Sequence, residues 1–233
     1  MNWKHFISKH FALVTSMKRW GVAIKDAIVS SGGSQCGEDR WLINELNRRK
    51  VPFAKVNYIE VGANQPSQLS NTWQLYRRGS AGVLIEPDHR CIGLLRFFRP
   101  RDFVIQAAAG HLAGIDSLGL HQHTTSTAIR GGGKDFIGSV PIPVMRVDDV
   151  FDEMRLKHQW KTLTLLSIDT EGFDDKVLLG AEKTLKITSY VCVENWNNSL
   201  LTESLHKVIG DDFEIAHQTA LNVIFRRVTA GES

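Results

Sequence analysis

Cysteine is scarce in this chain, and its placement argues against two classes of protein. Cys36, Cys91 and Cys192 are odd in number and far apart, which gives neither the paired spacing of a zinc site nor the even count of a disulfide framework, and favours a reducing compartment. No uninterrupted apolar run approaches the roughly 20 residues that span a bilayer. The first residues also lack a compact apolar core followed by a small-residue cleavage site, so the expected location is cytoplasmic. Charge of one sign is not in excess: 28 Lys and Arg against 25 Asp and Glu leave a net charge of +3. No basic run alternates with aromatics either, so nucleic acid is not an expected partner. What remains is ordinary globular composition over 233 residues, enough for one α/β domain with a real core, an N-terminal extension and one elaborated loop.

The stretch Tyr58-Ile59-Glu60-Val61-Gly62-Ala63-Asn64-Gln65-Pro66 organises the rest. It reads as a short buried strand that ends in an acidic residue, followed two positions on by a glycine and then a tight turn leading to a helix, the way doubly wound α/β folds present a nucleotide-like cofactor. Before it, Trp3, Ile7, Phe11, Val14, Met17, Ile24 and Ile28 recur every three or four positions among Lys4, Lys9, Lys18, Arg19 and Lys25. That pattern makes residues 1–33 an amphipathic helical extension and linker, packed on the body or on a second subunit of a homo-oligomer, or lying as a basic helix on an anionic membrane. Residues 34–233 form the main domain. In it Glu38 and Asp39 open a helix that Arg48, Arg49 and Lys50 close.

Beyond the turn, Ser70 is placed to cap a helix ending at Gly79, and Gly82-Val83-Leu84-Ile85-Glu86 is a second strand ending in a carboxylate. Phe103 to Ala109 reads as a third strand, Leu163 to Asp169 as the fourth and Tyr190 to Glu194 as the fifth. Successive strand-helix units predict parallel strands with right-handed crossovers, and Phe213–Ala216 with Asn222–Phe225 predict an antiparallel hairpin at one edge. The fold class is therefore α/β: a mostly parallel seven-stranded, Rossmann-like sheet with helices on both faces. Residues 110–140, rich in Gly, Ser, Thr and His, break the rhythm and read as a substrate lid or a disordered loop. Asp148 is expected to cap the helix that follows.

Glu60, Glu86, Asp169 and Glu194 all close predicted strands, which places four carboxylates along one rim of the sheet. Gly62 allows close backbone approach, and Glu86 follows at about the spacing from which an acidic side chain takes ribose hydroxyls. A pyrophosphate binder would need more glycines and more backbone N–H groups, whereas this turn has one glycine and then Pro66, which disfavours NAD. Gly131-Gly132-Gly133-Lys134 lacks the earlier glycine and the Ser or Thr of a phosphate loop. A cofactor with ribose hydroxyls, a cationic centre and no phosphate suits such a rim, and S-adenosylmethionine is one.

Several motifs together carry a family resemblance. Ser34-Gln35-Cys36-Gly37-Glu38-Asp39, Glu60-Val61-Gly62-Ala63-Asn64-Gln65-Pro66, Ser70-Asn71-Thr72, Ile85-Glu86-Pro87, Ser167-Ile168-Asp169-Thr170-Glu171-Gly172 and Val193-Glu194 resemble, in order and spacing, the motifs of the FkbM family of methyltransferases. The resemblance implies a class I methyltransferase fold and transfer of a methyl group from S-adenosylmethionine, usually to a hydroxyl of a sugar or other natural product. It implies that Glu60, Gly62, Ala63 and Asn64 surround the methionine end, Glu86 and Pro87 the ribose, and Ala108 with its neighbours the adenine. Gln35 and Asp39 would close over the cofactor, with Ser70, Asn71 and Asp169 also near it.

For the transfer, an acceptor oxygen must be held against the methyl group and its proton removed. Asp169 is the first candidate base or clamp, Glu171 the second, and His121 in the His-containing loop a third, with His123 beside it; solvated loop histidines are the plainer reading of both. Asp169, Glu171 and Glu194 could alternatively gather magnesium. Two other functions stay open: a metal-dependent glycosyltransferase built on Asp169 and Glu171, and a non-catalytic cofactor-binding module.

Overall fold

The computed structural model describes residues 20–21, 24–25, 32–121, 136–170, 172–194 and 208–228. Seven strands form the main sheet: β1 (Asn57–Val61), β2 (Ala81–Ile85), β3 (Phe103–Ile105), β7 (Leu163–Ile168), β8 (Thr188–Glu194), β9 (Phe213–Gln218) and β10 (Asn222–Arg227). Their order is β3-β2-β1-β7-β8-β10-β9. The first five run parallel, and β10 is antiparallel to both β8 and β9. This is the mostly parallel α/β sheet with an antiparallel edge hairpin that the strand-helix rhythm predicts.

Strand alternation decides which side chains meet which helices. Ile59 and Val61 share one face with Val83, Ile85, Leu166 and Ile168, and pack against α4 (Val147–His158), α5 (Asp174–Leu179) and α6 (Glu182–Leu185) through Val150, Phe151, Val177 and Leu185. Tyr58, Leu84, Leu165 and Cys192 face the other way, onto α1 (Glu38–Arg48), α2 (Trp73–Arg77) and α3 (His89–Phe98) through Leu42, Leu46, Trp73, Leu75 and Leu95. Helices therefore cover both faces, as parallel sheets require.

Charged side chains tie these layers at chosen points. At the start of α1, Glu38 is 1% exposed. Its Oε1 accepts from Thr219 Oγ1 at 2.6 Å and Asn222 Nδ2 at 2.9 Å, and its Oε2 from the Cys36 amide at 3.0 Å. Burial works to raise its pKa, but these donors outweigh burial and hold it below the ordinary carboxylate value of 4.5. A depressed folded-state pKa adds stability that is present above the unfolded value and lost as pH falls through the folded one. Glu38→Gln should therefore lower stability by about 1.5–3 kcal/mol at pH 7, the range for hydrogen bonds to a charged group. The gap between variant and wild type should close below pH 4.5. Urea unfolding at pH 7 and pH 4 checks this, and a gap that does not change with pH would contradict it.

Two local expectations are corrected. Asp148 lies inside the first turn of α4, and its carboxylate instead accepts from the Lys183 and Thr184 amides, so it caps α6 across the interface. The segment from Phe103 to Ala109 is two strands: β3 belongs to the main sheet, while β4 (Ala108–Ala109) joins a second sheet of order β4-β6-β5. There β5 (Gly114–His121) and β6 (Phe136–Met145) make a long antiparallel arm from the two ends of the stretch that reads as a lid or disordered loop; residues 122–135 between them lie outside the described residues. The arm forms because Leu118 and Leu120 on one strand, and Val140, Ile142 and Val144 on the other, share a face over Ala108. Pro141 and Pro143 hide this in the sequence, since proline is confined to strand positions whose amide needs no ladder partner.

In the extension, residues 20–21 and 24–25 are helical, and the Trp20 ring lies 5.2 Å from that of Phe97 and 6.0 Å from that of Phe98 in α3. This contact is the packed-on-body arrangement for that part of the extension. The remainder of residues 1–31 lies outside the described residues, as does the Gly131–Lys134 run.

Candidate functional site

Chain order reverses at β1, which has β2 on one side and β7 on the other, and an open α/β sheet splits at such a switch point beyond its carboxyl ends. A cleft with a volume of about 150 Å³ lies there. Its walls come from the ends of β1, β2, β7 and β8, from the strap around Gln35 and from the β3–β4 connection.

The β1 turn is built around Gly62. Its φ is +81°, a region costly to residues with a Cβ, and an added Cβ would sit 1.8 Å from the Asp169 carbonyl oxygen. The Gly62 amide donates to Ile85 O at 2.9 Å, and the Asp169 amide to Val61 O at 3.0 Å. The three strand ends are thus locked at closest approach. Asn64 also has positive φ, +45°, and its amide donates to Glu86 Oε2 at 2.7 Å. The Asp88 amide donates to Glu86 Oε1 at 2.7 Å. These two bonds fix the orientation of Glu86.

Of the expected site residues, Gln35, Gly62, Ala63, Asn64, Glu86 and Pro87 line the cleft, and so do Ala108, Asp169 and Glu194. Val61 and Thr170, which stand in the quoted motifs without an assigned role, line it as well, as do Ala107 and Ala109 beside Ala108; Gln68 and Leu69 also line it and are absent from the motif reading. Thr170 is held from below: its amide and hydroxyl donate to Asp174 Oδ1 at 3.1 and 2.8 Å. Burial, reinforced by the nearby Glu194 charge, raises the pKa of Asp174.

Four expected contacts lie elsewhere. Glu60 is one residue short of the strand end, so alternation turns it onto the Tyr58 face rather than onto the rim. It is 5% exposed, accepts from Ser70 Oγ at 3.1 Å and the Asn71 amide at 3.0 Å, and faces Arg99 at 3.6 Å. Burial raises its pKa, with Arg99 opposing. Ser70 and Asn71 are buried in the same network, where Asn71 Nδ2 donates to Ser167 Oγ at 3.0 Å. Ser70 Oγ also accepts from the Thr72 and Trp73 amides, which fulfils its helix-capping reading. Asp39 accepts from Ser34 Oγ at 2.7 Å and fastens the strap that carries Gln35. The sequence signal that separates these four was available in the period of β1 and in the serine-rich turns.

Glu171 and His123 fall outside the described residues, as does the side chain of His121, whose backbone ends β5. Among the described residues no group of three or more His, Cys, Asp or Glu side chains is arranged to hold a metal ion. No described helix is long and apolar enough to cross a membrane.

The donor set has one sign. Among the described residues that line it are three carboxylates and no Lys, Arg or His, and Glu194 Oε2 is buried with no hydrogen-bond partner among the described residues. A cationic, phosphate-free ligand with hydroxyls and an apolar ring fits this lining. The Ala107–Ala109 wall offers the apolar surface.

No curated protein sequence matches the chain. Among solved structures, a TehB-like SAM-dependent methyltransferase from Corynebacterium glutamicum is 11% identical, with 92% of this chain and 99% of that one covered at a TM-score of 0.47. An O-methyltransferase from Bacillus cereus in complex with SAH is 10% identical, with 91% of each chain covered at a TM-score of 0.49. The model of the methyltransferase FkbM domain matches residues 60–206, more than half of the sequence and every strand end that lines the cleft. This chain belongs to the FkbM family of S-adenosylmethionine-dependent methyltransferases.

Proposed function

We propose that the enzyme transfers the methyl group of S-adenosylmethionine to a hydroxyl oxygen of a sugar, glycan or related natural product. The observation that carries this reading is the carboxylate-lined cleft, which has no cationic side chain among the described residues. When bound there, the cofactor supplies a methyl group activated by its sulfonium. Glu86, oriented by the Asn64 and Asp88 amides, takes the ribose hydroxyls, and Ala107 to Ala109 take the adenine. Gly62 and Asn64 border the methionine end. Asp169 stands beside Gly62 at the end of β7 and receives the acceptor proton as the methyl group moves. A nucleotide-sugar diphosphate would bring several negative charges against Glu86, Asp169 and Glu194, which disfavours a glycosyltransferase.

The test is isothermal titration with S-adenosylmethionine and S-adenosylhomocysteine, with and without magnesium, followed by methyl transfer to a panel of sugar hydroxyl acceptors. Wild type should bind both at micromolar levels and yield O-methyl products. Asp169→Asn should keep S-adenosylhomocysteine affinity while turnover falls about 10²- to 10⁴-fold, the usual share of general-base catalysis. Transfer by Asp169→Asn at the wild-type rate would remove Asp169 as the base. No cofactor binding in folded protein would overturn the reading.

A further inference from the structure

Leu69 combines three properties that do not coincide by packing alone. It has φ +60°, a conformation that residues with a branched side chain avoid. It is 45% exposed, so burial does not compensate for that conformation, and it lines the cleft. Strain of this kind persists only where the surroundings impose it, and here they do. Arg99 Nη1 donates both to Pro66 O at 3.3 Å and to Ser70 Oγ at 3.2 Å. One buried guanidinium thus grips the loop on both sides of Leu69. Gln68 is bridged to Gly33 of the strap, which fastens the tip from outside.

We propose that Leu69 is a cofactor-binding residue, held strained so that its isobutyl group packs on the methionyl half of bound S-adenosylmethionine, with Arg99 as its positioning residue. The inference rests on the cofactor reading above. The half is assigned by topology: Glu86 and the Ala107–Ala109 wall lie on the β2–β3 side of the switch point. The foot of the Leu69 loop lies on the other side, where Asn71 reaches Ser167 of β7 at 3.0 Å and Cys192 of β8 at 3.8 Å. A side chain presented from there meets the end of the cofactor remote from the adenine.

Leu69→Gly separates the two roles of the residue, because glycine accepts the positive φ while losing the side chain. Melting temperature and affinities for S-adenosylhomocysteine and 5′-methylthioadenosine, which lacks the amino-acid half, are the readouts. The expected result is an unchanged or higher melting temperature, S-adenosylhomocysteine binding weakened about tenfold as for a lost buried isobutyl contact, and 5′-methylthioadenosine binding within about twofold of wild type. Unchanged affinity for S-adenosylhomocysteine, equal weakening of both ligands, or a melting temperature lowered by several degrees would each overturn the proposal. Wild-type protein that is folded and binds neither ligand would instead remove the cofactor reading, and this proposal with it.

Discussion

Gly62→Ala should abolish measurable binding of S-adenosylhomocysteine and also lower stability. Two costs combine. An alanine at φ +81° loses about 1–2 kcal/mol to its own backbone, and its Cβ would lie 1.8 Å from the Asp169 carbonyl oxygen and 3.0 Å from its carbon. Backbone on both sides of the clash cannot rotate away as a flexible side chain would, so relief requires parting β1 from β7. Overpacking of this kind costs about 1–3 kcal/mol more. The displacement would fall on the turn that presents Asn64 to Glu86 and on Asp169 itself, hence the larger effect on binding than on folding. Gly79→Ala is the matched control, since Gly79 has φ +102° with nothing within 4 Å of an added Cβ. It should lose about 1–2 kcal/mol of stability and keep its affinity. Titration calorimetry and thermal melts of both variants decide the matter. Gly62→Ala binding within threefold of wild type would mean that the close β1–β7 approach does not shape the site.

The sequence was a good guide wherever chemistry and position coincide at a strand end. Glu86 and Asp169 directly follow their strands and Glu194 is the last residue of its own, so reading them onto the rim needed only the strand boundaries. Glu60 shows the limit: it looks the same in a motif, but Val61 still belongs to β1, and one residue of pleat turns the carboxylate from the cleft into the layer beneath. Ser70 and Asn71 travel with it, because their polar groups answer the buried Glu60 and Arg99. The β5–β6 arm was illegible for another reason. Its inward face is a bare alternation of Leu118, Leu120, Val140, Ile142 and Val144, diluted by Gly, Ser and two prolines. Its partner, the two-residue β4, is too short to leave any periodic signal. Leu69 was invisible because its significance lies in a backbone angle, and a leucine gives no compositional hint of positive φ.

Arg99→Met should be the most destabilising substitution away from the cleft. The side chain is fully buried and serves several elements at once. Nε donates to Asp102 Oδ2 at 2.7 Å, and Nη2 to Tyr58 OH at 2.9 Å and Thr72 Oγ1 at 2.7 Å. The guanidinium also lies 5.0 Å from the centre of the Tyr76 ring. Burial opposes its charge, yet the surrounding Tyr58, Asp102 and Glu60 keep its pKa above the ordinary arginine value. Methionine fills the volume and leaves Glu60 and Asp102 without their cation. Removing one partner of a buried pair costs about 3–5 kcal/mol, a large part of the stability of a single domain. The pH dependence identifies the cause. Burial already raises the pKa of both carboxyls against the pull of Arg99, and without Arg99 they rise further. A carboxyl whose folded-state pKa lies above its unfolded value gains stability as pH falls towards the folded value, since the folded state then binds the extra proton. The stability gap between Arg99→Met and wild type should therefore be widest near pH 7.5 and narrow towards pH 5. Urea titrations at the two pH values measure it. A gap that is constant with pH would assign the loss to packing and to the gripped Pro66–Ser70 loop rather than to stranded charge.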